Sequence, residues 1–518
     1  MFEAAELGQE ISPEEYDARV PALREALLLA QDRLQEADFP VLIVFAGVDG
    51  AGKGETANLL SKWLDPRWVQ IRAFDEPTQD EIERPEYWRF WGALPRRGRI
   101  GIYLNTWYSR PLLERVVEGR TAEHLEARID EIVGFERALA NDGALFLKLW
   151  LHLGVAAQEK RFREFESDPL QSWRVTERDW HHWRLFEQFA AAGERLISRT
   201  STGFAPWHII EGWDARYRGL RAGEIVLGGL ESRLAEWQAT LDAGSARKGR
   251  NNGDKDANGN HADNADKKRK KRKEAARRRS APTILSRLDL GRSLEKEAYR
   301  ELRELHQGTL NGLQRRAREQ GVSTVLVFQG WDAAGKGGAI RRIVRALDAR
   351  WVRVHAIGVP SDEELDHHYL WRFWRRLPRD GQMVIFDRSW YGRVLVERVE
   401  GLATEREWRR AYAELNAFEE QIVGHGTALA KFFIHIDPAE QKKRFAERAK
   451  IPYKRYKLTA EDWRNRERWG DYEVAVHDMV ERTSTRLAPW TLVEGNDKRY
   501  ARVKVLETVC KVLAERLS

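Results

Sequence analysis

Short runs of apolar residues recur along the chain, separated by longer segments in which apolar and polar positions alternate at helical spacing. The first series occupies residues 41–45, 69–74, 99–104, 145–153 and 208–211. A second series, at 324–328, 352–357, 383–386, 430–436 and 491–494, has the same character. Helical patterns precede each series at 21–36 and 294–319, and aromatic, charged ones follow the second run at 80–94 and 362–377. Strand-length runs alternating with helices predict βαβ units, hence a parallel sheet with helices on both faces. Ligands of such sheets gather beyond the carboxyl ends of the strands.

The two series are one pattern used twice. At a constant offset of 283, Gly47 meets Gly330, Trp88-Arg89-Phe90-Trp91 meets Trp371-Arg372-Phe373-Trp374, Lys148 meets Lys431 and Pro206-Trp207 meets Pro489-Trp490. The register runs without a gap from Tyr16/Tyr299 to Tyr217/Tyr500, a tandem duplication of one domain. The expected boundaries are 1–242 for the first domain, 243–282 for a linker and 283–518 for the second. The linker carries 14 Lys and Arg against 5 Asp and Glu, which leaves the rest of the 518-residue chain slightly negative although its total is +7. Few apolar residues are available there to offset ordering entropy, so a disordered tether is expected; the alternative for residues 267–273 is a docking site for phosphate polymers or nucleic acid. No apolar run reaches the roughly 20 residues of a membrane span. Residues 1–13 lack a signal-peptide apolar stretch, and Cys510 stands alone, so a reduced, cytoplasmic protein is expected.

Candidate chemistry is densest after residue 328. Gly330-Trp331-Asp332-Ala333-Ala334-Gly335-Lys336-Gly337-Gly338 lies between a predicted buried strand and a predicted helix. A glycine-rich turn in that context aims backbone N–H groups into one concavity, the helix dipole adds positive potential, and the lysine brings a mobile charge: the physics of a phosphate-binding P-loop. Gly330, Ala333, Ala334, Gly335, Gly337 and Gly338 are the expected phosphate-binding positions beside Lys336. Gly337 stands where a Ser or Thr hydroxyl usually ligates Mg²⁺, so another group must hold the metal, and Asp332 is the nearest acid. The first domain repeats the loop with Asp49, Gly52 and Lys53, and it too lacks the hydroxyl.

The third predicted strand of the second domain ends in Asp387-Arg388-Ser389-Trp390-Tyr391. An apolar strand ending in an acid beside a P-loop has Walker-B character and makes Asp387 a second metal ligand, with Arg388 set to neutralise phosphoryl charge. A cationic stretch from Lys442 to Lys457 follows the fourth strand and is expected to close as a helical lid, with Arg448, Lys450 and Lys454 facing phosphates. The first domain breaks both features: Leu104-Asn105-Thr106 replaces Asp387-Arg388-Ser389, and Phe165, Ser167 and Gln171 replace Arg448, Lys450 and Lys454. Catalysis is therefore expected from the second domain alone, with the first loop folded and able to bind phosphate in a structural or regulatory role.

The combination of the GxDxxGKGG loop, DRSWY and a basic lid after a KFFIHI strand resembles the type-2 polyphosphate kinase family, and the fused arrangement resembles its polyphosphate:AMP phosphotransferase branch. The resemblance spans both domains. It implies tandem P-loop kinase-like α/β domains and transfer of a phosphoryl group from inorganic polyphosphate to AMP, giving ADP, with Mg²⁺. Asp332, Lys336, Asp387, Arg388 and Arg448 would then be the essential set. Alternatives are a polyphosphate-dependent kinase of nucleoside diphosphates, an ATP-dependent nucleoside monophosphate kinase, and a non-enzymatic scaffold binding polyphosphate or nucleic acid through the linker; the intact Asp387-Arg388 pair argues against the last. No membrane partner is expected. Trp88, Phe90, Trp91 and their repeats Trp371, Phe373 and Trp374 suit either a pseudo-dimer contact between the halves or each domain's own core, and homo-oligomerisation stays open.

Overall fold

The computed structural model describes residues 1–253, 282–451 and 460–518. The basic run at 267–273 and the lid residue Lys454 lie outside them. The described residues form two parallel five-stranded sheets. In the first repeat the strands are β1 (Val41–Gly47), β2 (Val69–Ala73), β3 (Ile100–Leu104), β4 (Leu145–His152) and β5 (Trp207–Glu211), in the order 2-3-1-4-5. In the second, β6 (Thr324–Gly330), β7 (Val352–Ala356), β8 (Met383–Asp387), β9 (Ala428–His435) and β10 (Trp490–Glu494) follow the equivalent order 7-8-6-9-10. The predicted α/β architecture is thus present in both halves. Central strands read as unbroken apolar runs because helices cover both faces of a parallel sheet: every residue of β9 is buried.

The chain divides into two compact units. One comprises Met1–Pro77, Arg89–Asp256 and Asp362–His368; the other comprises Thr78–Trp88, Ala257–Ser361 and Tyr369–Ser518. The units therefore depart from the sequence repeats at 78–88 and 362–368. The helix that closes the first repeat runs Ala215–Gly253, so the boundary expected at 242 falls inside it.

Local chemistry accounts for the other differences from the predicted elements. The first helix begins at Pro13 rather than near Pro21, because Ser12 caps it by accepting from the Glu15 N–H at 3.1 Å and Pro13 occupies the first turn, where a missing N–H costs nothing. The single helix expected over 80–94 is two short ones, Gln79–Ile82 and Tyr87–Gly92, with Pro85 between them. Four of the shared aromatics fill their own unit's core. Phe90 packs edge-on to Trp107 and Trp91 to Phe135 in the first, while Phe373 packs on Trp390 and Trp374 on Phe418 in the second.

Each unit contains the same buried ion pair. Lys431 Nζ donates to Glu419 Oε2 at 2.6 Å, to the Tyr391 hydroxyl at 2.9 Å and to the Thr483 carbonyl at 2.7 Å. Glu419 Oε1 also accepts from Tyr391 and from Trp390 Nε1. Lys148, Glu136, Tyr108, Trp107 and Thr200 repeat the arrangement. The Trp-Tyr part of DRSWY is therefore a structural element anchoring the turn after β8. That is why both repeats keep it while only one keeps the acid and the arginine.

Candidate active site

The P-loop joins β6 to the helix Lys336–Val344 at the carboxyl edge of the sheet. Gly330 has a φ of 141°, and a Cβ there would stand 2.4 Å from the Ile434 carbonyl, so the loop closes against β9 only with glycine. Ala333 holds a φ of 63°, a left-handed conformation that costs a non-glycine residue on the order of 1 kcal/mol or more. Its counterpart in the first repeat is Gly50, which adopts this region freely. At Gly337 an added Cβ meets nothing within 4 Å, so the absent hydroxyl does not reflect want of space.

Lys336 lies along the loop, its ammonium donating to the carbonyls of Gly330 at 2.6 Å and Trp331 at 3.2 Å. Burial pushes its pKa down; Asp332 and Asp387 pull it back up, and Arg388 and Arg448 oppose them. These five residues, dispersed over more than a hundred positions of sequence, therefore share one electrostatic environment. Asp387 arrives there because β8 pairs with β6 in the register Phe328↔Asp387, fixed by the Arg388 N–H donating to the Phe328 carbonyl at 3.0 Å. Arg388 follows with a φ of 64° and an exposed side chain whose Nη2 lies 3.4 Å from Asp332 Oδ1. Asn105 has the same backbone twist, φ 52°, in the first repeat. Asparagine tolerates that region better than arginine, so strain at this turn accompanies the charged side chain.

The basic helix Pro438–Lys450 divides into two kinds of residue. Arg444, buried, donates to the loop carbonyls of Ala333 at 3.0 Å and Ala334 at 2.8 Å and to the carbonyl of Gly495 at 2.7 Å. It is a clamp on the back of the P-loop rather than a phosphate ligand, and Arg161 serves the first repeat by donating to Gly50 and Gly212. Gln441 likewise donates to the Asp332 carbonyl at 3.1 Å, as Gln158 does to Asp49. Arg448, one turn further on, and exposed Lys450 have no carboxylate partner among the described residues.

Two contributors were not foreseen. Asn465 Nδ2 donates to Asp332 Oδ2 at 3.0 Å, which fixes one carboxylate oxygen. Trp331 stacks on Trp469 with centroids 3.6 Å apart and donates through Nε1 to His435 Nδ1 at 2.8 Å. Asn465 and Trp331, with Asp332, Arg388, Leu395 and Tyr472, line a cavity of about 90 Å³ beside the loop. The matched positions Val48, His182 and Phe186 differ, and of these only Val48, a change inside an otherwise retained loop, was a signal the motif itself offered.

Burial pushes the His435 pKa down to about 4, against the attraction of Asp437. The folded value lies below the ordinary 6.5, so the fold holds the ring neutral, and stability is lost as pH falls from about 6.5 towards 4. Between pH 7 and 5 this group should cost roughly 2 kcal/mol. Urea midpoints of the wild type and His435→Gln at both pH values check this: the variant should lose markedly less on acidification.

The first repeat's loop is engaged internally. Asp49 pairs with His182 Nδ1 at 2.8 Å and with Lys53 Nζ at 3.5 Å. Although burial raises it, Lys53 and His182 hold the Asp49 carboxyl well below the usual carboxylate range. Phe165, at the place of Arg448, packs under the Arg174 guanidinium at 4.4 Å.

A parallel sheet in this strand order, with a P-loop on its central strand and an acid–arginine pair on the adjoining one, defines a P-loop phosphotransferase domain. The family model of polyphosphate kinase 2 matches residues 10–237 and 293–517. The chain is 47% identical over 511 residues to the polyphosphate:AMP phosphotransferase of Pseudomonas aeruginosa, covering 98% of each chain. It is 44% identical to the protein of that name in Pseudomonas syringae, covering 99% of this chain and 98% of the other. A Pseudomonas aeruginosa crystal structure assigned to polyphosphate kinase 2 superposes with a TM-score of 0.85 at 44% identity, covering 100% of this chain and 99% of that one. The chain belongs to the polyphosphate kinase 2 family.

Proposed function

We propose that the protein transfers a phosphoryl group from inorganic polyphosphate to AMP, giving ADP, at the P-loop of the second repeat. The observation that carries this is the convergence of Asp332, Asp387, Arg388 and Arg448 on Lys336 in one repeat only, in a chain aligned end to end with polyphosphate:AMP phosphotransferases. Loop N–H groups and Lys336 hold the donor phosphates, the lysine exchanging its carbonyl contacts for phosphate oxygens. The cavity beside Asp332 and Arg388 gives the acceptor phosphate a place to approach. Its attacking oxygen is already ionised near neutral pH, so positioning and charge stabilisation do the catalysis and no strong base is needed. Arg388 and Arg448 set positive charge against the group in flight, and Lys450 extends that charge along the helix Pro438–Lys450.

Asp332 and Asp387 would hold Mg²⁺. Two carboxylates supply hard oxygen donors, and a magnesium site of this kind takes its remaining ligands from phosphate oxygens and water. That fits the two acids whose charges both bear on the Lys336 ammonium at the edge of the sheet. Bound there, the ion would neutralise charge across the phosphate oxygens. Asn465, holding one oxygen of Asp332, keeps that carboxylate turned towards the loop. No helix among the described residues is long and apolar enough to cross a membrane.

The test is ADP formation by the purified protein with AMP and polyphosphate as sole donor, compared with ATP as donor. ADP should accumulate with polyphosphate. Turnover with ATP and none with polyphosphate would make the protein an ordinary nucleotide kinase.

A further inference from the structure

The helix that follows the P-loop carries cations that the mechanism above does not use. Arg341 and Arg342 lie on it, and Arg502 reaches it from the last helix, Lys498–Arg516, which packs alongside. Arg342 Nη1 donates to the Gly338 carbonyl at 3.1 Å, and Arg502 Nη2 lies 3.5 Å from where a Cβ on Gly338 would stand. None of the three arginines pairs with a carboxylate among the described residues. Burial and then the repulsion of Arg342 push the Arg502 pKa down, while the two guanidiniums draw the pKa of the neighbouring Tyr299 down against its burial. Half-buried like charges side by side are unfavourable unless an anion joins them.

The first repeat shows what packing alone requires here. Arg341, Arg342 and Arg502 are matched by Asn58, Leu59 and Gly219. Leu59 fills the space: its Cδ2 stands 2.4 Å from where a Cβ on Gly219 would be. Tyr16, matching Tyr299, has its pKa raised by burial rather than lowered. Gly338 is matched by Glu55, whose carboxylate is taken by Arg174 and, at 2.5 Å, by Arg218. The fold is thus satisfied by an apolar contact and an acid at these positions. The cations occur in the repeat that also keeps Asp387 and Arg388.

We propose that Arg341, Arg342 and Arg502 form a second anion-binding site, which holds phosphates of the polymeric donor beyond those in the P-loop and makes affinity depend on donor length. Guanidinium groups suit it because each presents a planar fork to phosphate oxygens. Gly338, bare of a side chain, leaves the helix surface between loop and cluster open to the chain of phosphates, where a glutamate would repel it. This inference rests on the polyphosphate-donor reading.

The experiment compares KM for long-chain polyphosphate with KM for tripolyphosphate in the full-length protein. One variant is Arg342→Leu/Arg502→Gly, the pair that the first repeat already packs; the other is Arg341→Asn, the residue the first repeat carries there, which leaves the P-loop glycines untouched. In both, the KM for the long donor should rise at least about tenfold more than that for tripolyphosphate, a factor that the loss of a single charge-assisted contact is enough to give. The salt dependence of the long-donor KM should also weaken in the double variant, since fewer counterions are displaced. Equal shifts for the two donors, or no shift, would overturn the site. A wild-type protein that makes no ADP from polyphosphate of either length would instead sink the donor assignment on which it rests.

Discussion

Asp387→Asn is expected to lower turnover of polyphosphate and AMP by about a thousandfold or more, and Arg388→Ala by a comparable factor, the scale of an arginine that stabilises a transferring phosphoryl group. Asparagine keeps the size of the side chain and the β8–β6 register, so the fold should be retained. What goes is a negative charge at the sheet edge, and with it a proposed ligand for Mg²⁺ and one of the two acids that favour the Lys336 ammonium. The first repeat already performs this experiment in part. With Leu104 and Asn105 in place of the acid and the arginine, its P-loop acid is bound by His182 and Lys53. Single-turnover assays with melting curves as a fold control check the prediction. A loss under tenfold in Asp387→Asn would remove this residue from the site.

The second large effect concerns stability. Lys431→Met should cost about 3–5 kcal/mol, because it leaves Glu419 ionised and buried without its counter-charge. Burial pushes Lys431 down and Glu419 up, each towards its neutral form, and their mutual attraction opposes both shifts. Replacing both partners, Lys431→Met with Glu419→Gln, should recover much of the loss, since the amide oxygen still accepts from Tyr391 and Trp390. Urea unfolding followed by tryptophan fluorescence measures both. A single variant within 1 kcal/mol of wild type would show that water reaches the pair and that it is not the anchor described here.

The sheet was legible in the sequence because buried parallel strands must be apolar throughout and must alternate with helices. The repeat made that inference stronger, since one pattern had to serve two domains. The loop was legible for a related reason: Gly330 and Gly335 meet backbone constraints that no other residue satisfies cheaply. The basic stretch after β9 was less transparent. Its composition does not tell Arg444, which clamps loop carbonyls, from Arg448, which faces the site; comparison between repeats does, because Arg161 retains the first role and Phe165 abandons the second. Asn465 and the Arg342–Arg502 pair differ between the repeats, but that difference alone does not say what they touch. Asn465 and Arg502 reach the loop from helices far along the chain, and only the packing of those helices brings them to Asp332 and to Arg342 beside Gly338.

The central claim is that one of two similar loops carries the reaction, and a matched pair of lysine variants tests it most directly. Lys336→Ala and Lys53→Ala remove the same contacts from the two P-loops, the ammonium donating to Gly330 and Trp331 in one and to Gly47 and Val48 in the other. Turnover of saturating polyphosphate and AMP should collapse in Lys336→Ala and stay close to wild type in Lys53→Ala. If each variant instead kept about half of the wild-type rate, both repeats would be enzymes, and the assignment of catalysis to the second repeat would be wrong.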